Sequence, residues 1–222
     1  MINVHFPPLG GLLLLLPLAV CAIGCAGPGG QDSAQGAPVP EVYFELRPNA
    51  ETGVHFSNAS RERYENFFEF FANVYNGGGI AVVDVNNDGL PDIYFTGNEV
   101  ADRLYLNRGG FAFEDVTDKA IAAGQSGWHN GVSMIDINGD GWLDIYVCRG
   151  GWQDKDEDRA NLLYVNQGAK GEGSAPSFAE QAAQYGLADD GYSMQAAFFD
   201  MYNDLDLDLY LISRPDSFYL PL

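Results

Sequence analysis

From residue 80 onward the chain alternates short apolar runs with tight polar clusters, and the runs have strand composition. Val82-Val83, Ile93-Tyr94-Phe95, Leu104-Tyr105-Leu106 and Phe111-Ala112-Phe113 are rich in β-branched and aromatic side chains and are bounded by Gly or Asn. Runs of this length and composition predict strands rather than helices. The same order then returns. Ala81 to Phe95 reappears as Ser133 to Val147 and again as Ala197 to Leu211, so the chain is an internal repeat. Asp84 to Asp136 is 52 residues and Asp136 to Asp200 is 64. The extra length falls in 150–160 and 168–177, polar Gly-rich stretches where insertion only extends a surface loop.

Each full unit supplies four strands: one on either side of the acidic cluster, the Leu-Tyr-Leu-Asn or Leu-Tyr-Val-Asn run ending at Asn107 or Asn166, and the run marked by Phe113 or Phe178. Helical turns are expected at 116–123 and 179–185, both closed by Gly. Four strands in about 50 residues is the pattern of a propeller blade. The expectation is an all-β chain, a partial β-propeller of about three four-stranded blades over residues 41–222. It starts partway through one unit, since Gly53 to Phe56 precedes Asp84 as Phe113 precedes Asp136. Residues 214–222 carry no recognisable closing strand, so the ring is expected to be incomplete, the N-terminal part of a longer protein.

The clusters between paired strands carry specific chemistry. Asp84-Val85-Asn86-Asn87-Asp88-Gly89-Leu90-Pro91-Asp92 and Asp136-Ile137-Asn138-Gly139-Asp140-Gly141-Trp142-Leu143-Asp144 place oxygen side chains at positions 1, 3, 5 and 9 of a curled loop, with Gly at position 6. Three carboxylates and an amide oxygen at one centre repel one another unless a hard cation lies between them. Calcium accepts such all-oxygen, flexible coordination; magnesium prefers a strict octahedron, and zinc prefers His or Cys. An EF-hand needs Glu at position 12 between helices, but Phe95, Val147 and Leu211 stand there between strands. In the third loop Tyr202 replaces the oxygen ligand at position 3 and Leu205 replaces the Gly, leaving Asp200, Asp204 and Asp208.

Charge and the N-terminus place the protein. With 31 Asp and Glu against 11 Lys and Arg, the formal charge is −20, which repels phosphate backbones and excludes nucleic acid as a partner. Leu12 to Gly24 is an uncharged apolar run of signal-peptide length, too short to span a bilayer. Ala22-Ile23-Gly24-Cys25 resembles the bacterial lipobox, which implies a signal peptide over 1–24 and lipidation of Cys25, with ordinary secretion or cytoplasmic retention as alternatives. Residues 26–40 are Gly, Pro, Ala, Ser and Gln, a flexible tether. Cys148 is expected as a small buried strand residue, with no disulfide framework.

YNGGGIAVVDVNNDGLPDIYF, LYLNRGGFAFEDVTDKA, GVSMIDINGDGWLDIYV and AAFFDMYNDLDLDLYLIS resemble the FG-GAP/VCBS repeats of integrin-α-type β-propellers, and more narrowly bacterial lipoproteins with ASPIC/UnbV domains. The resemblance implies calcium held by Asp84, Asn86, Asp88, the Leu90 carbonyl and Asp92, and by Asp136, Asn138, Asp140, the Trp142 carbonyl and Asp144. It also implies a ring of seven blades and a C-terminal domain beyond this sequence. No phosphate loop follows Gly77-Gly78-Gly79, which reads as a turn, and no Gly-x-Ser-x-Gly elbow or metal-spaced His is present. His129 reads as a polar blade-rim residue, and Asp154 to Arg159 as a solvated insertion loop. The expectation is therefore no enzyme. A calcium-binding, surface-anchored module that contacts a glycan or protein is the leading reading; the alternative is the front of an extracellular carbohydrate-active enzyme, a polysaccharide lyase-like propeller.

Overall fold

The computed structural model describes residues 2–4, 44–61, 74–121, 127–151, 159–171 and 173–215. Most of the expected signal segment, Cys25, the tether, the acidic run 154–158 and residues 216–222 lie outside them. Among the described residues no helix is long and apolar enough to cross a membrane.

The chain is all-β, with three antiparallel sheets. A short turn of helix, α1 (Asn49–Thr52), precedes the first sheet. That sheet is β2 (Ile80–Val83), β3 (Asp92–Phe95), β4 (Arg103–Asn107) and β5 (Phe113–Asp115), in chain order. After α2 (Thr117–Ala120) comes the second, β6 (His129–Ile135), β7 (Asp144–Arg149), β8 (Leu162–Ala169) and β9 (Pro176–Glu180). After α3 (Ala182–Tyr185), β10 (Ser193–Phe199) pairs with β11 (Leu207–Ser213), and β1 (Ile2–Val4) lies antiparallel on the far edge of β11.

Four expectations change here. The third unit is not four-stranded: among the described residues it contributes two strands of its own, and its third strand comes from the start of the chain. Gly53 to Phe56 is not a strand; Phe56 instead stacks on Phe95, ring centroids 4.9 Å apart, and the His55 N–H donates to the Tyr105 hydroxyl at 3.3 Å. The helical turns are shorter than expected, because Ile121 already forms a bridge with Phe178 and because β9 extends to Glu180. The second insertion is partly absorbed by strand: β8 and β9 run on, with a register shift, to pair Ala169 with Pro176.

Two cores alternate with the sheets. Tyr94, Leu104, Leu106 and Val85 of the first unit pack with Val132, Ile145, Val147 and Tyr164 of the second. Tyr146, Cys148, Leu163 and Val165, on the opposite face of the second sheet, pack with Ala196 and Leu209 of the third. The middle sheet is covered on both faces, so all six residues of β7 are buried, whereas β2 alternates exposed and half-buried positions. This explains the continuous apolar run Ile145 to Cys148: a strand covered on both sides cannot alternate. Cys148 sits in this core as expected, and burial pushes its thiol up to about 12.

Candidate functional site

The turns β2–β3, β6–β7 and β10–β11 all fall at one end of their sheets, and each is one of the three acidic loops. The bonds made by their position 1 carboxylates repeat in all three. Asp84 accepts the N–H groups of Asp88 at 3.2 Å and Gly89 at 2.7 Å; Asp136 accepts those of Asp140 at 3.0 Å and Gly141 at 2.8 Å; Asp200 accepts those of Asp204 at 3.1 Å and Leu205 at 2.9 Å. The position 1 carboxylate thus fastens positions 5 and 6, an Asx-type turn that curls the loop. Position 5 then accepts the position 7 N–H: Leu90 to Asp88 and Trp142 to Asp140, each at 2.9 Å.

The curl needs a left-handed residue at position 6. Gly89 and Gly141 have φ of 85° and 86°, and Leu205 has φ of 71°. A side chain there costs on the order of 1–2 kcal/mol. The strain expected from the missing Gly is present, and the Leu205 side chain is 87% exposed.

The position 9 carboxylate has a different task. Asp92 accepts the Val85 N–H at 3.0 Å and the Asn107 N–H at 2.8 Å; Asp144 accepts those of Ile137 at 2.9 Å and Asn166 at 2.7 Å. It therefore ties its own loop to the next strand. Asp208 repeats the first half of this, accepting the Met201 N–H at 2.9 Å. The recurring Asn of Leu-Tyr-Leu-Asn and Leu-Tyr-Val-Asn completes the tie, Asn107 donating to the Pro91 carbonyl at 2.9 Å and Asn166 to the Leu143 carbonyl at 3.1 Å. Asn166 also donates to the Val85 carbonyl at 2.9 Å, which links the second sheet to the loop of the first. Asn87 donates to the Gly141 carbonyl at 3.2 Å, joining the two loops directly. In the sequence these two Asn residues stand out only as repeat markers.

Electrostatics singles out position 9. Burial pushes Asp92 up to about 6 against the opposing pull of the Asn107 and Val85 N–H groups, and the charges of Asp88 and Asp84 push the same way. Asp144 is likewise raised to about 6, by burial first and by Asp140 and Asp136 besides. The loops thus concentrate negative charge with no cationic side chain among these causes. Among the described residues no group of three or more His, Cys, Asp and Glu side chains is gathered so as to hold a metal ion. The carboxylates are instead aimed at N–H groups of their own loops. Each carboxylate oxygen has two lone-pair sites, so accepting one N–H leaves a second for another partner. The donor set, carboxylate, amide and carbonyl oxygen, suits a hard cation and offers nothing to a soft one.

The other end of the sheets holds a buried polar network that includes His129, the residue expected as a polar blade-rim residue. His129 is fully buried, its Nδ1 2.7 and 2.8 Å from the two carboxylate oxygens of Asp102. Asp102 also accepts the Tyr94 hydroxyl at 2.6 Å and the Gly97 N–H at 2.8 Å. The Nδ1–H donates to Asp102, and His129 Nε2 has no hydrogen-bond partner among the described residues. The His129 carbonyl accepts from Asn98 at 2.9 Å and the Asn130 carbonyl from Thr96 at 2.6 Å, so this network also joins the first two sheets.

With this geometry in view, comparison with protein families is specific. Residues 71–147 match the model of the FG-GAP-like repeat. The match runs from before β2 into β7, ending at Val147, and takes in both loops that carry Gly at position 6. That stretch of the chain is an FG-GAP-like repeat. No curated protein matches the chain.

Proposed function

We infer that the protein is a calcium-binding β-propeller module of the cell surface, its sheets being blades. The first loop holds the ion through the side chains of Asp84, Asn86, Asp88 and Asp92 and the Leu90 carbonyl. The second does so through Asp136, Asn138, Asp140 and Asp144 and the Trp142 carbonyl. Asp200, Asp204 and Asp208 form a weaker third site, because Tyr202 has no amide or carboxylate oxygen where Asn86 and Asn138 stand. The observation that carries this reading is the repetition of one hydrogen-bonded scaffold, in which a fastened Asp at position 1 and a buried Asp at position 9 bracket the position 3 and 5 oxygens. When bound, calcium neutralises the clustered carboxylates and cross-links the turn to the strand behind it.

The protein's own residues do the rest. Gly89 and Gly141 permit the curl, and Asn107 and Asn166 hold the position 9 carboxylates against the neighbouring strand. The rigid loops serve a module that contacts a glycan or protein and is tethered to the membrane through lipidated Cys25; it is not itself an enzyme. Calorimetric titration of calcium into the chelator-treated chain tests the reading. Saturable binding is expected in the wild type and the loss of its two tighter sites in the Asp88→Ala, Asp140→Ala double variant, leaving at most the weak third site, whereas equal binding in both overturns it.

A further inference from the structure

Three connections tie the first acidic loop to the second, and none of their hydrogen bonds uses an oxygen assigned to calcium. The Asn87 amide donates to the Gly141 carbonyl at 3.2 Å, so position 4 of one loop holds position 6 of the next. Asn166 makes the second connection. Its N–H is fixed on Asp144 at 2.7 Å, and its amide reaches both loops, the Leu143 carbonyl at 3.1 Å and the Val85 carbonyl at 2.9 Å. Val85 in turn donates its N–H to Asp92 at 3.0 Å. An unbroken path therefore runs through Asp144, Asn166, Val85 and Asp92, from position 9 of one loop to position 9 of the other.

The β8–β9 hairpin is the third connection, because it touches both loops. A Cβ at Gly168 would stand 3.3 Å from Trp142 Cε2, so the near end of the hairpin packs on position 7 of the second loop. In its turn, Gly173 has a φ of 67°, and a Cβ there would stand 4.0 Å from Asp88 Oδ2 of the first loop. The Gly173 carbonyl also accepts from Arg108, at the end of β4 in the first sheet. The inserted residues of the second unit thus reach back to the first.

We propose that these connections make the first and second loops bind calcium with positive cooperativity, the first ion setting the shared bonds that the second then finds in place. The proposal rests on the calcium reading above. Position 9 carboxylates converge with positions 1, 3 and 5 only while the strand behind holds them, so an ion favours the tied arrangement over a loosened one. Ordering either loop orders Asn87, Asn166 and the hairpin once, and the second ion does not meet that cost again. One effect opposes this: an ion in one loop weakens the negative potential at the other. Salt screens that effect, with a Debye length of about 8 Å at about 0.15 M, while the hydrogen bonds between the loops persist. Couplings between sites are typically about 5–150-fold.

Calorimetric titration of the full chain with calcium at about 0.15 M salt tests this, in an Asp204→Ala background that silences the third loop. Adding Asp88→Ala or Asp140→Ala gives the constant of each remaining loop alone, and neither change removes a hydrogen bond of the three connections. The two-ion association constant with both loops intact is expected to exceed the product of the two single-loop constants at least about fivefold. Asn87→Gly, made in the same three chains, removes one connection while accepting the left-handed φ of 55° without strain, and is expected to lower that excess. Asn166→Ala is expected to lower it further; circular dichroism checks the β signature of each variant, and the test stands on the exposed Asn87 position if Asn166→Ala fails to fold. Binding with an excess of about one or less, or an excess undiminished by Asn87→Gly, would overturn the coupling alone. No calcium binding in any of these chains would bring down the calcium reading and the coupling with it.

Discussion

Asn166 and Asn107 occupy the same place in successive repeats, and their different surroundings set a quantitative test. The Asn166 side chain donates to the Val85 and Leu143 carbonyls and accepts the Gly168 N–H at 2.9 Å, all at a residue only 1% exposed. Truncation to Ala removes three hydrogen bonds worth about 1 kcal/mol each and leaves buried backbone groups unpaired at about 1–3 kcal/mol apiece where water cannot enter. A loss of about 3–5 kcal/mol follows for Asn166→Ala. Asn107 lacks the bond to a neighbouring unit: it donates to Pro91 at an exposed position and accepts the Gly109 N–H at 2.8 Å, and water can replace both partners. Asn107→Ala is therefore expected to cost about 1 kcal/mol. Urea unfolding of the two variants with a shared m-value measures the difference. Equal losses, or a larger loss for Asn107→Ala, would refute the claim that the second sheet is fastened to the first acidic loop through Asn166.

Four further outcomes follow. Leu205→Gly relieves the left-handed backbone and is expected to raise stability by about 1 kcal/mol in thermal unfolding, whereas a loss would show that the exposed leucine is held by contacts elsewhere. Asp102→Ala strands the Tyr94 hydroxyl, His129 Nδ1 and the Gly97 N–H in the interior and is expected to cost about 3–5 kcal/mol by chemical denaturation; a cost under 1 kcal/mol would mean water satisfies them. Asp92 and Asp144 have folded values near 6, above the ordinary 3.8. Without calcium their contribution to stability is full below pH 3.8 and is lost as pH rises through 6, while calcium affinity rises over the same window because protons compete for the same oxygens; melting and titration series from pH 4 to 7, with and without calcium, check the opposed signs. Cys148, buried with its thiol near 12, is expected to resist iodoacetamide in the folded chain and to be labelled once urea unfolds it, as peptide mapping would reveal.

Strands and loops were legible because their causes are local. β-branched runs bounded by Asn and Gly make the sheets, and Asp at positions 1 and 5 with Gly at position 6 makes the curl; the absent Gly at Leu205 foretold the strained turn. Position 9 was legible as an acidic position, but its tie to Asn107 or Asn166 depends on a strand 15 or 22 residues further on. The bond from Asn166 to Val85 spans 81 residues. No pattern in the sequence reports such a register. His129 was misjudged for the same reason: an isolated histidine acquires its meaning from Asp102, which only the packing of the second sheet on the first brings beside it. The short third sheet was hidden because its two strands copy the repeat faithfully and the shortfall lies in what pairs with them.

Metal content is the most direct test of the central claim. The full chain, purified without added metal or chelator and analysed by inductively coupled plasma mass spectrometry, is predicted to carry about two calcium ions, one for each loop with Gly at position 6. Their removal is predicted to lower the melting temperature, and calcium alone among Ca²⁺, Mg²⁺ and Zn²⁺ to restore it fully. A chain that holds no calcium, and melts at the same temperature after chelation as before, would contradict the account.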